Sequence, residues 1–230
     1  MGNVMDLSKC YDFLQPEKVS ERIHIVGCGS VGSTLAENLC RNGFKNFDLW
    51  DFDTVESHNI SNQMFLQDQV GMPKVEALKD ILVSINPECK DTVVLHHEGW
   101  HGDLMTGYVF LAVDSIEIRK EIAERHKTYA GVKAMFDVRT LLTGAQSYGC
   151  DWTKFKQKKK FLETMNFSHE EAAAETPVSA CGITLGIATT VRLVSAITVN
   201  NFIKFVKGEG IWNFCQFDGF SGFYDHFVWS

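Results

Sequence analysis

No Cys-x-x-Cys pair occurs anywhere in the 230 residues, which removes the common four-cysteine zinc site. The seven cysteines, Cys10, Cys28, Cys40, Cys89, Cys150, Cys181 and Cys215, are odd in number and scattered in spacing. That is no disulfide framework; it suits reduced thiols in the cytoplasm. Basic charge is short as well. Lys plus Arg number 22 against 29 Asp plus Glu, a formal net charge of −7, which argues against nucleic-acid binding by phosphate neutralisation. Residues 156–160 concentrate lysine, but nothing basic accompanies them, and they read as a solvated face. Residues 1–19 hold no long apolar run and carry Asp6, Asp12 and Glu17, so neither a secretory signal nor a membrane anchor is expected there. The most apolar stretch, 183–206, is broken by Thr184, Arg192, Asn200, Asn201 and Lys204, and is expected as a buried helix that spans no membrane. Internal repeats and low-complexity tracts are absent, and the length leaves no room for a second large catalytic module.

What the chain does contain is an alternation of short apolar strands and amphipathic helices. Strands are expected at 22–26, 47–50, 92–96, 108–113 and 134–138. A helix over 33–42 carries Leu35, Ala36 and Leu39 on one face and closes at Gly43. Pro73 opens a second helix with Val75, Leu78, Leu82 and Ile85 inward, and Pro87 stops it. A charged amphipathic helix is expected at 116–129. The tail 211–228, aromatic and turning at Asp218-Gly219 and Ser221-Gly222, reads as a hairpin that extends the sheet antiparallel. The expected fold is α/β, a Rossmann-like mainly parallel sheet with helices on both faces and an antiparallel C-terminal extension. Within one domain over 1–230, the segments are an N-terminal piece (1–21), a nucleotide-binding core (22–142), a polar excursion or flap (143–176), and a long helix with the hairpin (177–230).

The first chemical motif is Gly27-Cys28-Gly29-Ser30-Val31-Gly32, a GxGxxG turn between a strand and a helix. The first glycine permits the tight turn, the second lets backbone amides approach a polyphosphate, and the third lets helix and strand pack closely. Free amides and the helix dipole favour an anion there. Asp51, nineteen residues beyond Gly32 at the end of the second strand, stands where a carboxylate accepts hydrogen bonds from ribose hydroxyls. The turn by itself suits NAD(H) enzymes equally well.

The loop that follows narrows the choice. It runs Asp51-Phe52-Asp53-Thr54-Val55-Glu56-Ser57-His58-Asn59-Ile60-Ser61-Asn62-Gln63, followed by Val70-Gly71-Met72-Pro73-Lys74 and later Ile85-Asn86-Pro87. In order and spacing, from Arg22 to about Arg119, this resembles the ThiF/MoeB family of ATP-dependent adenylating proteins, whose fold ubiquitin-activating enzymes share. Members show D-x-D-x-V-x-x-x-N-x-x-R-Q, then V-G-x-x-K, then a helix ending in I-N-P. The resemblance implies a nucleotide site of Gly27, Gly29, Ser30, Gly32, Asp51, Asp53 and Lys74. In it Asp51 holds ribose, Lys74 reaches the phosphates and Asn59 lies beside them. It makes Asp114, in Leu111-Ala112-Val113-Asp114-Ser115, the magnesium ligand, with Arg119 as the arginine that follows. The implied catalytic set is Lys74, Asp114 and Asn59, and the implied cofactors are ATP and Mg2+. Bland roles stay open: Asp114 as a helix cap, Asn59 as a turn support, Lys74 as an exposed first-turn lysine.

Two departures from the family pattern stand out. Asn62 replaces the family's loop arginine, with Arg41, Lys45 and Arg119 as candidate substitutes, and the zinc-binding cysteine pairs of bacterial relatives are missing. Cys181, in Pro177-Val178-Ser179-Ala180-Cys181-Gly182, and Cys150 are candidate thioester positions, against a packing role. His96, His97, His101 and Glu98 read as surface or edge residues in preference to a metal site. The implied activity is adenylation of a carboxyl terminus, that of a small ubiquitin-like or sulfur-carrier protein with a Gly-Gly tail, by a cytoplasmic homodimer. The alternatives are a degenerate adenylation-fold binding module and an NAD(P)-dependent oxidoreductase.

Overall fold

The computed structural model describes residues 5–167 and 186–229. Its centre is an eight-stranded sheet in the order β3-β2-β1-β4-β5-β6-β7-β8. The strands are β1 (Ile23–Val26), β2 (Phe47–Trp50), β3 (Val94–His96), β4 (Gly107–Leu111), β5 (Val132–Thr140), β6 (Gly144–Asp151), β7 (Phe214–Asp218) and β8 (Phe223–Phe227). β3, β2, β1, β4 and β5 run parallel, as the alternating pattern leads one to expect; β6, β7 and β8 add on antiparallel, and of these the aromatic tail leads one to expect β7 and β8 but not β6. The helices are α1 (Ser30–Arg41), α2 (Lys74–Ile85), the single turn α3 (Cys89–Thr92), α4 (Ile116–Arg125), α5 (Phe155–Glu163) and α6 (Ala188–Val206).

Period-two alternation divides the sheet between two cores. Ile23, Ile25, Phe47, Leu49, Phe110 and Phe136 face one side, against Leu35, Leu39, Leu78, Leu82 and Phe202 of α1, α2 and α6. Val26, Val109, Leu111, Val132 and Met135 face the other, against Ile116, Ile122, Phe161 and Leu162 of α4 and α5. Phe202 is the hub of the first core, with ring centroids 5.1 Å from Phe44, 4.9 Å from Tyr108 and 5.5 Å from Phe110. β1, β2 and β4 are buried throughout because helices cover both faces, while the edge strand β3 is partly exposed. No helix among the described residues is long and apolar enough to cross a membrane.

Local chemistry sets the helix ends. α1 closes in a Schellman turn: Gly43 takes φ +90°, its amide donates to the Cys40 carbonyl, and the Phe44 amide donates to Leu39. Only glycine holds that conformation cheaply, so Gly43 terminates the helix as expected. α1 begins at Ser30, three residues before the expected start, because Ser30, Gly32 and Ser33 are small and carry little hydrophobic signal.

Residues 143–176 depart most from expectation. Residues 144–151, expected to form an excursion off the core, are β6, paired to β5 and β7 along the interior of the sheet, and α5 follows. Small size explains both the burial and the weak pattern. A methyl at Gly149 would lie 2.6 Å from the Trp212 carbonyl and 2.7 Å from Asn201, so this strand packs under α6 only with a glycine there. Ser147 Oγ meets Thr198 Oγ1 at 2.8 Å, replacing an apolar contact by a hydrogen bond.

One buried polar cluster lies between β1, β2 and β3. His24 is 6% exposed; its Nε2 donates to the Thr106 carbonyl at 2.9 Å and its Nδ1 accepts from Trp50 Nε1 at 3.2 Å. Asp48 accepts from Arg22 and pairs with His96 Nε2 at 2.8 Å, and the His96 ring stacks on Trp50 at 3.5 Å. Burial pushes the His24 imidazole down from 6.5 to about 4, with Asp48 opposing. His126, fully buried, donates through Nδ1 to Ile122 and accepts the Met105 amide at Nε2, and burial lowers it also. Because the folded value lies below the unfolded one, stability is whole above pH 6.5 and falls as pH drops toward 4. Thermal unfolding against pH is expected to lose up to about 3 kcal/mol to His24 across that window. His24→Gln, which does not titrate and can keep the hydrogen bond to Thr106, flattens the slope. A wild-type profile flat from pH 6.5 to 4 contradicts the assignment.

Candidate nucleotide site

Strand order reverses between β1 and β4, and open α/β sheets bind ligands in the crevice beyond the carboxyl ends of the strands at such a switch point. Gly27, directly after β1, takes φ +90°, and a Cβ there would lie 2.8 Å from the Ala112 and Val113 backbone, just past β4. The turn and the 112–114 segment are therefore in contact. A Cβ at Gly32 would stand 1.8 Å from the Gly27 carbonyl oxygen, so α1 enters against the strand only without a side chain. Gly29 is the opposite case: no atom lies within 4 Å of where its Cβ would project. It is the N-cap of α1 and supplies no capping side chain, so the first amides of the helix, at Ser30 and beyond, receive no cap from it. The three glycines thus do three different jobs.

Asp51 closes the other side. Its Oδ2 accepts the Cys28 amide at 2.6 Å and its Oδ1 accepts the Asp53 amide at 2.8 Å. Burial pushes its carboxyl upward, while those two amides and Lys74 oppose. Residues 53–55 then clip against 71–74: the Lys74 amide donates to Asp53 O at 2.9 Å, Val55 N to Met72 O at 2.8 Å, and Gly71 N to Val55 O at 2.8 Å. The clip explains how positions twenty-one apart meet, with Lys74 Nζ 2.8 Å from Asp53 Oδ2. Lys74 is the first residue of α2 after Pro73, and its side chain is 9% exposed. The bland reading of an exposed lysine therefore fails.

Asn59 is buried, and its Oδ1 accepts the Glu56 amide at 2.9 Å in a reciprocal cap around a short 3-10 turn (Ser57–Ser61). It supports the loop, the turn role open to it from sequence. Asp114 is exposed and makes no hydrogen bond or ion pair among the described residues. Ser115 caps α4, accepting the Ile118 amide at Oγ, so the capping role proposed for Asp114 belongs to its neighbour. A carboxylate left free beside a phosphate-type turn fits the oxygen-ligand chemistry of magnesium.

None of the substitutes for the missing loop arginine reaches this site. Arg119 is buried, with Nε 2.7 Å from the Val113 carbonyl and Nη1 on Asp137 and, at 2.8 Å, the Val138 carbonyl. It ties the ends of β4 and β5 beneath Asp114, and Arg139 completes the pairing of the fully buried Asp137. Its spacing from Ile116 and Ile122, three residues each way, already marks it as inward-facing. Arg41 pairs with Glu37 at the far end of α1, and Lys45, before β2, pairs with Glu88 at the opposite end of the strands. Asn62 Nδ2 donates to the Gly186 carbonyl at 3.4 Å.

Cys150 lies within β6, fully buried, and burial drives its thiol well up, so it offers no thiolate as an acyl acceptor. Cys181 lies outside the described residues. Among the described residues no group of three or more His, Cys, Asp or Glu side chains could hold a metal. His96 is engaged by Asp48, and His97 approaches Glu76 at 3.7 Å, in keeping with an edge role.

Strand order and glycine turn together define a Rossmann-like α/β domain. The chain belongs to the ThiF family, which it matches over residues 9–227. Ubiquitin-like modifier-activating enzyme 5 from Caenorhabditis elegans is 40% identical over 73 residues, 31% of this chain and 17% of that protein. The Arabidopsis thaliana protein of the same name is 45% identical over 73 residues, with the same shares. The match thus spans about a sixth of the length of these curated relatives. The structure of E. coli MccB with ATP superposes with a TM-score of 0.67 at 15% identity, over 92% of this chain and 64% of that one. At that identity the likeness is one of fold. The ThiF/MoeB resemblance read from the first half therefore extends across nearly the whole chain.

Proposed function

We propose that the chain catalyses ATP-dependent adenylation of a carboxyl terminus, that of a small ubiquitin-like or sulfur-carrier protein, giving an acyl-adenylate and pyrophosphate. The observation that carries this reading is the pairing of an open, amide-lined glycine turn with Lys74–Asp53 on one side and an unengaged Asp114 on the other. A nicotinamide site has no evident use for the last two. ATP phosphates would take the amides at the start of α1, Asp51 the ribose hydroxyls, and Asn59 would hold its loop beside the phosphates. Lys74 would supply positive charge to the departing pyrophosphate. Magnesium, held by Asp114, would offset phosphate charge when bound. No protein nucleophile is required, since the substrate carboxylate attacks the α-phosphorus; orientation and charge neutralisation carry the step.

Relatives named for activating ubiquitin-like modifiers, and an MccB structure with MccA, support a protein or peptide partner. We read that partner as presenting a flexible Gly-Gly tail at the Asp114 edge, and the assembly as a cytoplasmic homodimer. ATP–pyrophosphate exchange with a panel of Gly-Gly-ending proteins tests the reading. Exchange stimulated about tenfold or more by one member is expected; ATP binding with no exchange across the panel counts against it.

Asn62 favours a second reading, a degenerate adenylation domain that binds without chemistry. Asn62→Arg separates the two: an adenylating enzyme short of that charge gains exchange activity, whereas a binding module gains none.

A further inference from the structure

Cys40, one residue from the end of α1, and Cys89, the inward residue of the single turn α3, bring their sulfurs to 3.8 Å. No other pair of described cysteines is in such contact. Cys40 Sγ also reaches the Leu82 carbonyl of α2 at 3.6 Å, so the pair sits where three helices meet. The two thiols differ. The Cys40 thiol hydrogen-bonds to Cys89 and, with Lys45 and Lys79, draws the Cys89 thiol below its usual range, while that hydrogen bond and burial push Cys40 up. Both are buried, but α3 is only four residues long and its neighbours Glu88, Lys90 and Asp91 are exposed. Local opening of one turn exposes Cys89 without disturbing the sheet.

We propose that Cys40 and Cys89 are a site of reversible disulfide formation by peroxide, closing a covalent loop around the segment that carries Asp51, Asp53, Asn59 and Lys74. The Cys89 thiolate attacks one peroxide oxygen, the O–O bond breaks, and the departing hydroxide takes a proton to leave as water. The resulting sulfenic acid is then displaced by the Cys40 sulfur, whose proton leaves with the hydroxyl as a second water. Two thiols and one hydrogen peroxide give one disulfide and two waters. Bonding needs the sulfurs to close to about 2.05 Å, a small movement for a one-turn helix. The closed loop of about fifty residues restricts the unfolded chain and leaves the nucleotide crevice, at the other end of α1, untouched.

The test is to treat the full chain with hydrogen peroxide, alkylate free thiols, digest, and identify linked peptides by mass. A Cys40–Cys89 peptide reversed by dithiothreitol is expected as the dominant link, with a melting temperature raised by about 5–10 °C and ATP binding unchanged. Cys40→Ala is expected to abolish both link and shift. Should that variant fail to fold, comparing oxidised with reduced wild type carries the same readout. Alkylated Cys40 and Cys89 after oxidation, links dominated by other cysteines, or a lowered melting temperature would each overturn the proposal.

Discussion

Gly29→Ala is expected to leave the fold intact and to weaken ATP binding about tenfold or more, whereas Gly32→Ala is expected to cost the fold itself. The contrast follows from what each new methyl meets. At Gly29 it projects into open space, the space a polyphosphate needs if it is to rest on the amides of α1. At Gly32 it lands 1.8 Å from a backbone oxygen and 3.1 Å from Ile25 Cγ2, and neither the carbonyl nor the strand can retreat without parting α1 from β1. A destabilisation of about 4 kcal/mol or more is expected for Gly32→Ala. Thermal melts and nucleotide titrations of the two variants read this directly. Equal losses of stability would show that the turn matters for packing alone.

Lys74→Ala is expected to lower ATP–pyrophosphate exchange by about 10²–10³-fold, the usual loss when one charge-stabilising donor is removed from a transition state. Its effect on folding is expected to be small, because Asp53, its partner, is half exposed and regains water when the lysine goes. Lys74→Arg is expected to recover little, since a planar guanidinium does not reproduce a compact, buried ammonium 2.8 Å from Asp53 Oδ2. A variant with unaltered exchange would reduce Lys74 to a partner of Asp53.

Much of this site could be read from the chain because it is local. The glycine turn, Asp51 and the loop to Lys74 occupy one continuous stretch between β1 and α2, where apolar periodicity marks every flanking element. The tail hairpin was equally legible from its aromatics and turn residues. β6 was not. Its buried positions are Gly144, Ala145, Ser147, Gly149, Cys150 and Asp151, small or polar residues whose neighbours come from distant sequence: Thr198 meets Ser147, and Asn201 and Trp212 leave no room for a side chain at Gly149. Hydrophobic pattern cannot report a strand whose neighbours demand smallness. Arg119 misled for a related reason: its charge suggested a ligand, while its partners, Asp137 and three carbonyls, converge from two other strand ends. Inward spacing on α4 was the signal to weigh. Asp114 shows the reverse, since only the structure reveals that Ser115 relieves it of capping.

Calorimetric titration of the purified chain with ATP, with and without magnesium and alongside NADH, tests the central claim most directly. Magnesium-dependent ATP binding, lost in Asp114→Asn, weakened in Gly29→Ala and unmatched by NADH, is the predicted result. Tight NADH binding, or ATP binding indifferent to both magnesium and Asp114, would contradict it.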